Sequence, residues 1–316
     1  MATLPRTSLD VFPVNLGTNT FGWTSDREAS FAVLDAFAEA GGNFIDTADL
    51  YSVWVEGNDG GVSEEIIGEW MAARGNRDDI VVATKVGGLP TRPGLSRDNV
   101  IVALEDSLRR LQTDHVDLYY FHYDDEDVAI ADQVRTAHEL VVSGKVRHVA
   151  LSNHSPERMR EFFATATREG LTVPVAIQPQ YSLLHRADVE NGYGAIAREF
   201  DAALLPYFSL ASGLLTGKYT SAADIETVAR KDMLSGYLGE ATFDVVGTLV
   251  EIAEARGVEP TTVALAWLLA KGVTAPIASA SRPDQLPAIM AAPALELSAD
   301  EVSRLDAVSA PTARAA

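Results

Sequence analysis

Cysteine is absent from all 316 residues. That removes disulfides, thiolate nucleophiles, iron–sulfur clusters and Cys-ligated zinc together. Positive charge is scarce: 25 Lys and Arg stand against 45 Asp and Glu, a formal net charge of −20. A chain this acidic repels a phosphate backbone unless basic residues gather in a stripe, and none do, so no nucleic-acid partner is expected. No apolar run approaches the ~18 residues of a membrane span, so no membrane partner is expected either. Met1–Asp10 lacks an apolar core of the length that a signal peptide needs, which makes the cytoplasm the expected compartment. No Gly-x-Gly-x-x-Gly follows an early strand pattern, which speaks against an open dinucleotide-binding sheet. Linkers and low-complexity tracts are missing too, so residues 1–316 read as a single domain, with nothing that demands a second copy; a monomer is expected.

The composition is that of a soluble globular protein, 47% hydrophobic and 22% charged. Short β-rich runs alternate with helical patterns throughout. The strand candidates are Val14–Thr18, Asn43–Thr47, Asp79–Lys85, Asp117–His122, Arg147–Asn153, Val175–Gln178, Ala202–Tyr207 and Ala275–Ser279. Most are nearly continuous apolar runs, as parallel strands buried on both faces require. Phe31, Leu34 and Ala38 recur at helical spacing before a stop at Gly41–Gly42, and Ser63 opens a second helix with Trp70 and Met71 on its apolar face. Ser96, Ser155 and Thr261 read as further N-caps. Strand followed by helix, eight times over, predicts a closed (β/α)8 TIM barrel. Asp49–Gly61 and Thr216–Gly239 are too long for plain βα loops, and long loops of a barrel gather at its C-terminal face, where chemistry is done. After Ser298 come a last helix pattern (Val302, Leu305, Val308) and an Ala-rich end expected to fray, so residues from about 299 to 316 form a helix and tail.

Polar residues crowd the C-terminal ends of these apolar strands: Asp46 with Tyr51 just beyond, Lys85, His122, Ser152 with Asn153, and Gln178. Each alone has a plain explanation. Asp46 suits a turn cap, Lys85 a lysine snorkelling to water, His122 a satisfied core histidine, Asn153 a helix start, and Tyr51 an exposed loop aromatic. Five strand ends doing this together are better explained by one pocket. A Lys beside a Tyr stabilises a phenolate and lowers the phenol's pKa; an Asp keeps that Lys charged and oriented. A neutral His can hydrogen-bond a carbonyl oxygen. Such a set protonates an oxygen that gains negative charge, as reduction of a carbonyl by hydride requires.

At this point the chain resembles the aldo-keto reductase family. Asp46-Thr47-Ala48-Asp49-Leu50-Tyr51 looks like that family's Asp-Thr-Ala-x-x-Tyr segment, and Ser63-Glu64-Glu65-Ile66-Ile67-Gly68 like its Ser-Glu-x-x-x-Gly helix start. Ala83-Thr84-Lys85 is similar to its lysine strand, Asp117–His122 to its histidine strand, and Gly144-Lys145-Val146-Arg147 leading to Ser152-Asn153 to its Gly-Lys-x-Arg to Ser-Asn segment. Gln178–Leu184 and Tyr207–Tyr219 resemble its sixth and seventh strand regions, in the same order. The resemblance implies reduction of a small-molecule aldehyde or ketone with NADPH, without metal. Tyr51 would be the general acid, Lys85 and Asp46 its tuning partners, and His122 the orienter of the carbonyl. Ser152, Asn153 and Gln178 would hold the nicotinamide carboxamide, and Tyr207 would stack on the ring. Ser209, Leu210, Gly213, Leu215, Gly217 and Lys218 would wrap the pyrophosphate, and Ser281, Arg282 and Gln285 would meet the adenosine end, Arg282 and Ser281 at the 2′-phosphate.

Three departures stand out. Ser209 replaces a usual Pro, and Ala288-Ile289 replaces a usual Glu-Asn near the adenine. The segment Ser52–Gly61 is longer than the family's short turn, so Trp54 is expected to wall the substrate pocket with Trp23 and Tyr123, against a simple surface-packing role for Trp54. Two other readings compete with the reductase. Some relatives of this fold are regulatory subunits that hold nucleotide and turn over slowly. His122 with Asp124, Asp125 and Glu126 imitates a metal site, although such acidic runs are usually solvated.

Overall fold

Side-chain parity along each strand decides what faces the centre and what faces the surrounding helices. The computed structural model describes residues 1–225, 234–239 and 241–310. Eight parallel strands form one sheet: β3 (Asn15–Gly17), β4 (Phe44–Asp46), β5 (Val81–Val86), β6 (Val116–Phe121), β7 (Val146–Ser152), β8 (Ala176–Gln178), β9 (Ala203–Leu204) and β10 (Ile277–Ser279). They neighbour one another in chain order, and β10 pairs with β3. Between β9 and β10 the Thr274 N–H donates to the Leu204 carbonyl at 3.0 Å and the Ile277 N–H to the Pro206 carbonyl at 2.9 Å. The sheet therefore curls into the expected (β/α)8 barrel, and each of the eight strand candidates overlaps one of its strands, β5 running one residue later and β6 and β7 starting one residue earlier.

Leu16, Ile45, Val82, Val86, Phe121, Val149, Leu151 and Ile177 point outward into the large core shared with the helices. Phe44, Val81, Ala83, Leu118, Tyr120, Ala150, Ala176, Ala203 and Leu205 fill a second cluster inside the ring. Two short strands outside the sequence reading, β1 (Ala2–Thr3) and β2 (Asp10–Val11), pair antiparallel. Their Leu4 and Val11 join the inner cluster, so this hairpin plugs the N-terminal end of the barrel.

The helices follow local chemistry. In α1 (Arg27–Glu39) the buried stripe is Ser30, Val33, Leu34 and Phe37, one residue round from the expected Phe31 and Ala38, and Asp26 caps its start by accepting from the Ala29 N–H at 2.9 Å. Ser155 caps α5 (Pro156–Glu169) in the same way, at 3.2 Å from the Arg158 N–H. Ser96 takes the N-cap position of its helix as expected, but Ser63 and Thr261 need correction. Ser63 lies inside α2 (Val62–Arg74), whose cap is the left-handed Gly61. The Ser63 hydroxyl instead donates to Thr18 of the first βα loop, which ties α2 to the mouth of the barrel. Ser96 sits at the cap of α3 (Arg97–Leu111) without a side-chain bond. Thr261 lies within α8 (Pro260–Ala270), where Pro260 supplies the preset first turn after Glu259.

Helices α4 (Ile130–Val142), α6 (Gly194–Glu199), α7 (Thr242–Arg256) and α9 (Leu286–Met290) continue the outer ring. The last helix, α10 (Ala299–Val308), forms as expected with Leu305 buried. Residues 311–316 of the expected tail and 226–233 of the long loop lie outside the described residues.

Candidate active site

Inward parity brings Asp46 of β4, Lys85 of β5, His122 just past β6, Ser152 of β7 and Gln178 of β8 to one end of the barrel, all buried. Tyr51 comes from the loop after β4 and is partly exposed. Lys85 is fully enclosed, so it does not snorkel. Its ammonium has three partners, one for each N–H: a close ion pair with Asp46 Oδ1, the Thr47 carbonyl at 2.7 Å, and the Tyr51 hydroxyl at 2.9 Å. The Tyr51 hydroxyl donates to Asp46 Oδ1 at 3.3 Å, and the Gln178 amide donates to Asp46 Oδ2 at 2.8 Å. Asp46 is thus held from both sides.

Burial pulls Lys85 below the usual lysine range, opposed by Asp46. Burial, followed by the Asp46 charge, pushes the Tyr51 phenol well up. This reverses the expectation that Lys85 lowers it, because Asp46 already neutralises the ammonium and desolvation prevails. The phenol accordingly keeps its proton. Burial, assisted by Lys85, pushes His122 well below its usual value, so the imidazole is neutral. Its Nδ1 is buried without a partner, unlike a satisfied core histidine. The rings of Tyr51 and His122 lie 6.4 Å apart, edge to face.

Aromatic residues surround Tyr51. Trp54 lies 6.2 Å from Tyr51 and 5.7 Å from Trp23, while Tyr123 stacks on His122 at 4.6 Å. Trp54 and Tyr123 remain 45% and 46% exposed, so their faces are open to a ligand. Gly88 makes room for this wall: a β-carbon there would stand 2.4 Å from Leu50 and 2.9 Å from the Tyr123 ring.

Beside Tyr51, the side chains expected at a nicotinamide interlock. The Ser152 hydroxyl donates to the Gln178 carbonyl at 2.8 Å, the Asn153 amide donates to the His122 carbonyl at 2.8 Å, and the Tyr207 hydroxyl donates to Asn153 Oδ1 at 2.9 Å. The following loop turns through left-handed residues at Phe208, Ala211, Ser212, Gly213 and Gly217. Such backbone reversals build anion-binding concavities. Within this loop Ser209 is buried and Leu210 half-buried, and Leu215 packs in the core. Lys218 has no carboxylate partner among the described residues; its ammonium lies over the Tyr219 ring. Farther round, Gln285 Oε1 accepts from the Ser281 backbone and hydroxyl at 2.8 and 3.2 Å. Arg282, exposed, pairs with Asp284 at 3.1 Å. Ile289 is buried, and the Ala288 carbonyl accepts from Thr262, so neither offers the polar side chain expected near an adenine.

The metal-like run separates into other duties. Asp124 binds Arg158, and Asp125 accepts from the Leu95 N–H at 2.7 Å. Among the described residues no group of three or more His, Asp or Glu is arranged to hold a metal. Three residues passed unnoticed among the sequence candidates. Tyr120 lies inside the barrel with Lys85 5.7 Å over its ring, and strand parity two residues before His122 would have placed it. Glu64 and Asp49 are buried behind Lys85; the family-like segments Ser63–Gly68 and Asp46–Tyr51 contain them but gave them no role.

The sequence profile of the Aldo/keto reductase family matches residues 13–310. The chain is 32% identical to "Protein tas" of Escherichia coli (strain K12), over 96% of each chain. It is also 32% identical to an aryl-alcohol dehydrogenase [NADP(+)] of Phanerodontia chrysosporium, over 84% of this chain and 74% of the relative. A probable voltage-gated potassium channel subunit beta of Oryza sativa subsp. japonica is 32% identical, over 90% of this chain and 88% of the relative. By profile, by similarity along nearly its whole length and by its barrel, this chain belongs to the aldo/keto reductase family.

Proposed function

We propose that the chain reduces an aldehyde or ketone to the alcohol with NADPH, Tyr51 giving the proton. The observation that carries this reading is the Tyr51 phenol held 2.9 Å from the Lys85 ammonium, beside a neutral His122, at the open end of the barrel. The aryl-alcohol dehydrogenase among its relatives is named for NADP(+), which supports the cofactor choice.

The residues fit a dinucleotide. The loop after Tyr207 runs through left-handed turns, with the Lys218 ammonium 3.1 Å from where a β-carbon at Gly213 would stand. That is a cramped, cationic cradle suited to pyrophosphate. Asn153 and Gln178 offer amides to a carboxamide, Tyr207 offers a ring face, and Ser281, Arg282 and Gln285 stand ready for the adenosine end. When bound, NADPH supplies hydride to the carbonyl carbon.

The protein does the rest. His122, neutral, donates a hydrogen bond that fixes the carbonyl oxygen. Tyr51 passes its proton to that oxygen as negative charge builds there. Lys85 stabilises the phenolate left behind, and Asp46, steadied by Gln178, stops the ammonium from drifting. Trp23, Trp54 and Tyr123 receive a flat apolar substrate by ring contacts, which favours aromatic carbonyls over small hydrophilic ones.

The test is loss of NADPH absorbance with nitrobenzaldehyde, for the wild type and Tyr51→Phe. The variant is expected to lose roughly 10²–10⁴-fold in kcat while its NADPH-quenched fluorescence titration stays nearly unchanged. Unaltered turnover would remove Tyr51 from the acid role. Tight nucleotide binding with no turnover of any carbonyl would favour a nucleotide-holding subunit, the reading for which the potassium channel subunit beta among its relatives speaks.

A further inference from the structure

Behind the catalytic lysine lies a second buried charge cluster that the reduction chemistry does not use. Asp49 is 1% exposed and Glu64 fully buried. Glu64 is well provided for: Arg110 bridges its Oε2 at 2.7 Å and the Thr84 hydroxyl donates to its Oε1. Asp49 is less so: the Leu50 backbone N–H serves its carboxyl, but its Oδ1 is buried without a partner. Its backbone fixes it to the lysine strand, the Asp49 N–H donating to the Lys85 carbonyl at 3.3 Å. Gly60, at φ +94, presses on the other side; a β-carbon there would stand 2.7 Å from the Asp49 carbonyl oxygen.

The ion pairs single out the same residue. Lys85 pairs with Asp46 and Arg110 with Glu64, while Arg92 and Arg109 share Asp106. Asp49 makes no ion pair with any described residue. A buried carboxylate with no cation of its own is costly, and the remedy is to hold a proton.

We propose that Asp49 is a positioning residue that takes up and releases a solvent proton behind Lys85, and so sets how strongly the ammonium supports the Tyr51 phenol. This rests on the reading of Tyr51 as the acid. With its proton on, Asp49 is neutral and the Lys85 charge is shared only with Asp46 and Tyr51. With the proton off, a further negative charge sits on the far side of the ammonium and weakens Tyr51 as an acid.

The groups facing Asp49 set the range of pH. Glu64 of α2 opposes its ionisation, Arg110 of α3 and Arg92 of the loop after β5 favour it, and Lys85 of β5 favours it too. The buried Tyr119 hydroxyl of β6, itself without a partner, feels the same carboxyl. Burial first, then Glu64, pushes Asp49 up to about 7. His122 is already neutral there and adds no step of its own.

The test joins infrared difference spectroscopy with a pH profile. In the wild type a carboxylic acid C=O band should disappear as pH rises through about 7, and Asp49→Asn should lack it. Glu64→Gln should move the transition to lower pH, a check that survives if Asp49→Asn folds poorly. Carbonyl reduction should fall severalfold over the same interval in the wild type, and the fall should vanish in Asp49→Asn. A carboxyl ionised throughout overturns the proposal, as does an unchanged profile in Asp49→Asn. Failure of the Tyr51 reading would look different: Tyr51→Phe would keep its turnover, while the infrared band would still report on Asp49.

Discussion

Arg282 illustrates how much a single side chain's neighbour matters. Sequence position alone points it at the 2′-phosphate of NADPH, yet in the structure its guanidinium is paired with Asp284, both side chains well exposed. An exposed pair of this kind is weak, so a phosphate should displace Asp284 rather than be blocked by it. Arg282→Ala is therefore expected to weaken NADPH by about tenfold or more with little change for NADH, whereas Asp284→Asn should tighten NADPH modestly. Fluorescence titrations with both nucleotides decide it, and equal weakening of the two by Arg282→Ala would take Arg282 off the phosphate. Lys85 and His122 were legible because each breaks an apolar strand pattern with a polar residue, and Tyr51 because it closely follows Asp46, which does the same. Their protonation was not. Whether Lys85 lowers the Tyr51 phenol depends on what already neutralises Lys85, and that is a matter of ångströms. Asp49 and Glu64 hid for a related reason: an acid written in a loop or on a helix gives no sign that the fold will bury it.

At the scale of elements, strands were easier to read than helix ends. A strand buried on both faces writes a continuous apolar run. A cap depends on which hydroxyl reaches a free N–H. Ser63 shows the difference, since it has the right chemistry for a cap but lies within α2 and bonds to Thr18 instead. The same helix carries a constraint that no propensity scale contains. At Gly68 a β-carbon would come within 2.1 Å of the Arg110 carbonyl oxygen and 2.7 Å of Leu111, because α2 and α3 cross there backbone to backbone. Alanine is ordinarily the better helix former by about 1 kcal/mol. Here overpacking against rigid main chain should outweigh that gain, at about 1–3 kcal/mol or more. Gly68→Ala is expected to lower Tm and to loosen the Arg110–Glu64 pair behind the active site. A Tm equal to or above that of the wild type would mean that the crossing gives way easily.

For the whole molecule, charge and architecture pull on different properties. The fold was legible because strand and helix patterns alternate eight times, which leaves a closed barrel as the economical way to bury them. The plugging hairpin was not, since two-residue strands leave no periodicity to read. The net charge of −20 says nothing about the barrel but does bear on its stability. Among the described residues most basic side chains already have acidic partners, some of them across helices, such as Arg74 with Asp35 and Arg256 with Glu301. The surplus acids repel one another with nothing to offset them. Raising ionic strength from about 0.01 to about 0.15 M shortens the screening length from roughly 30 to roughly 8 Å. Tm should rise over that range, measured by calorimetry. A fall would show that the surface ion pairs count for more than the surplus.

The bond from Gln178 to Asp46 joins residues 132 positions apart, from β8 to β4 on the far side of the ring. Half a barrel would already contain Asp46, Tyr51, Lys85 and His122, but its carboxylate would lack that second anchor. The full set of bonds around Asp46 therefore exists only when the circle has closed, which makes the site a property of the whole ring rather than of the half that carries its residues.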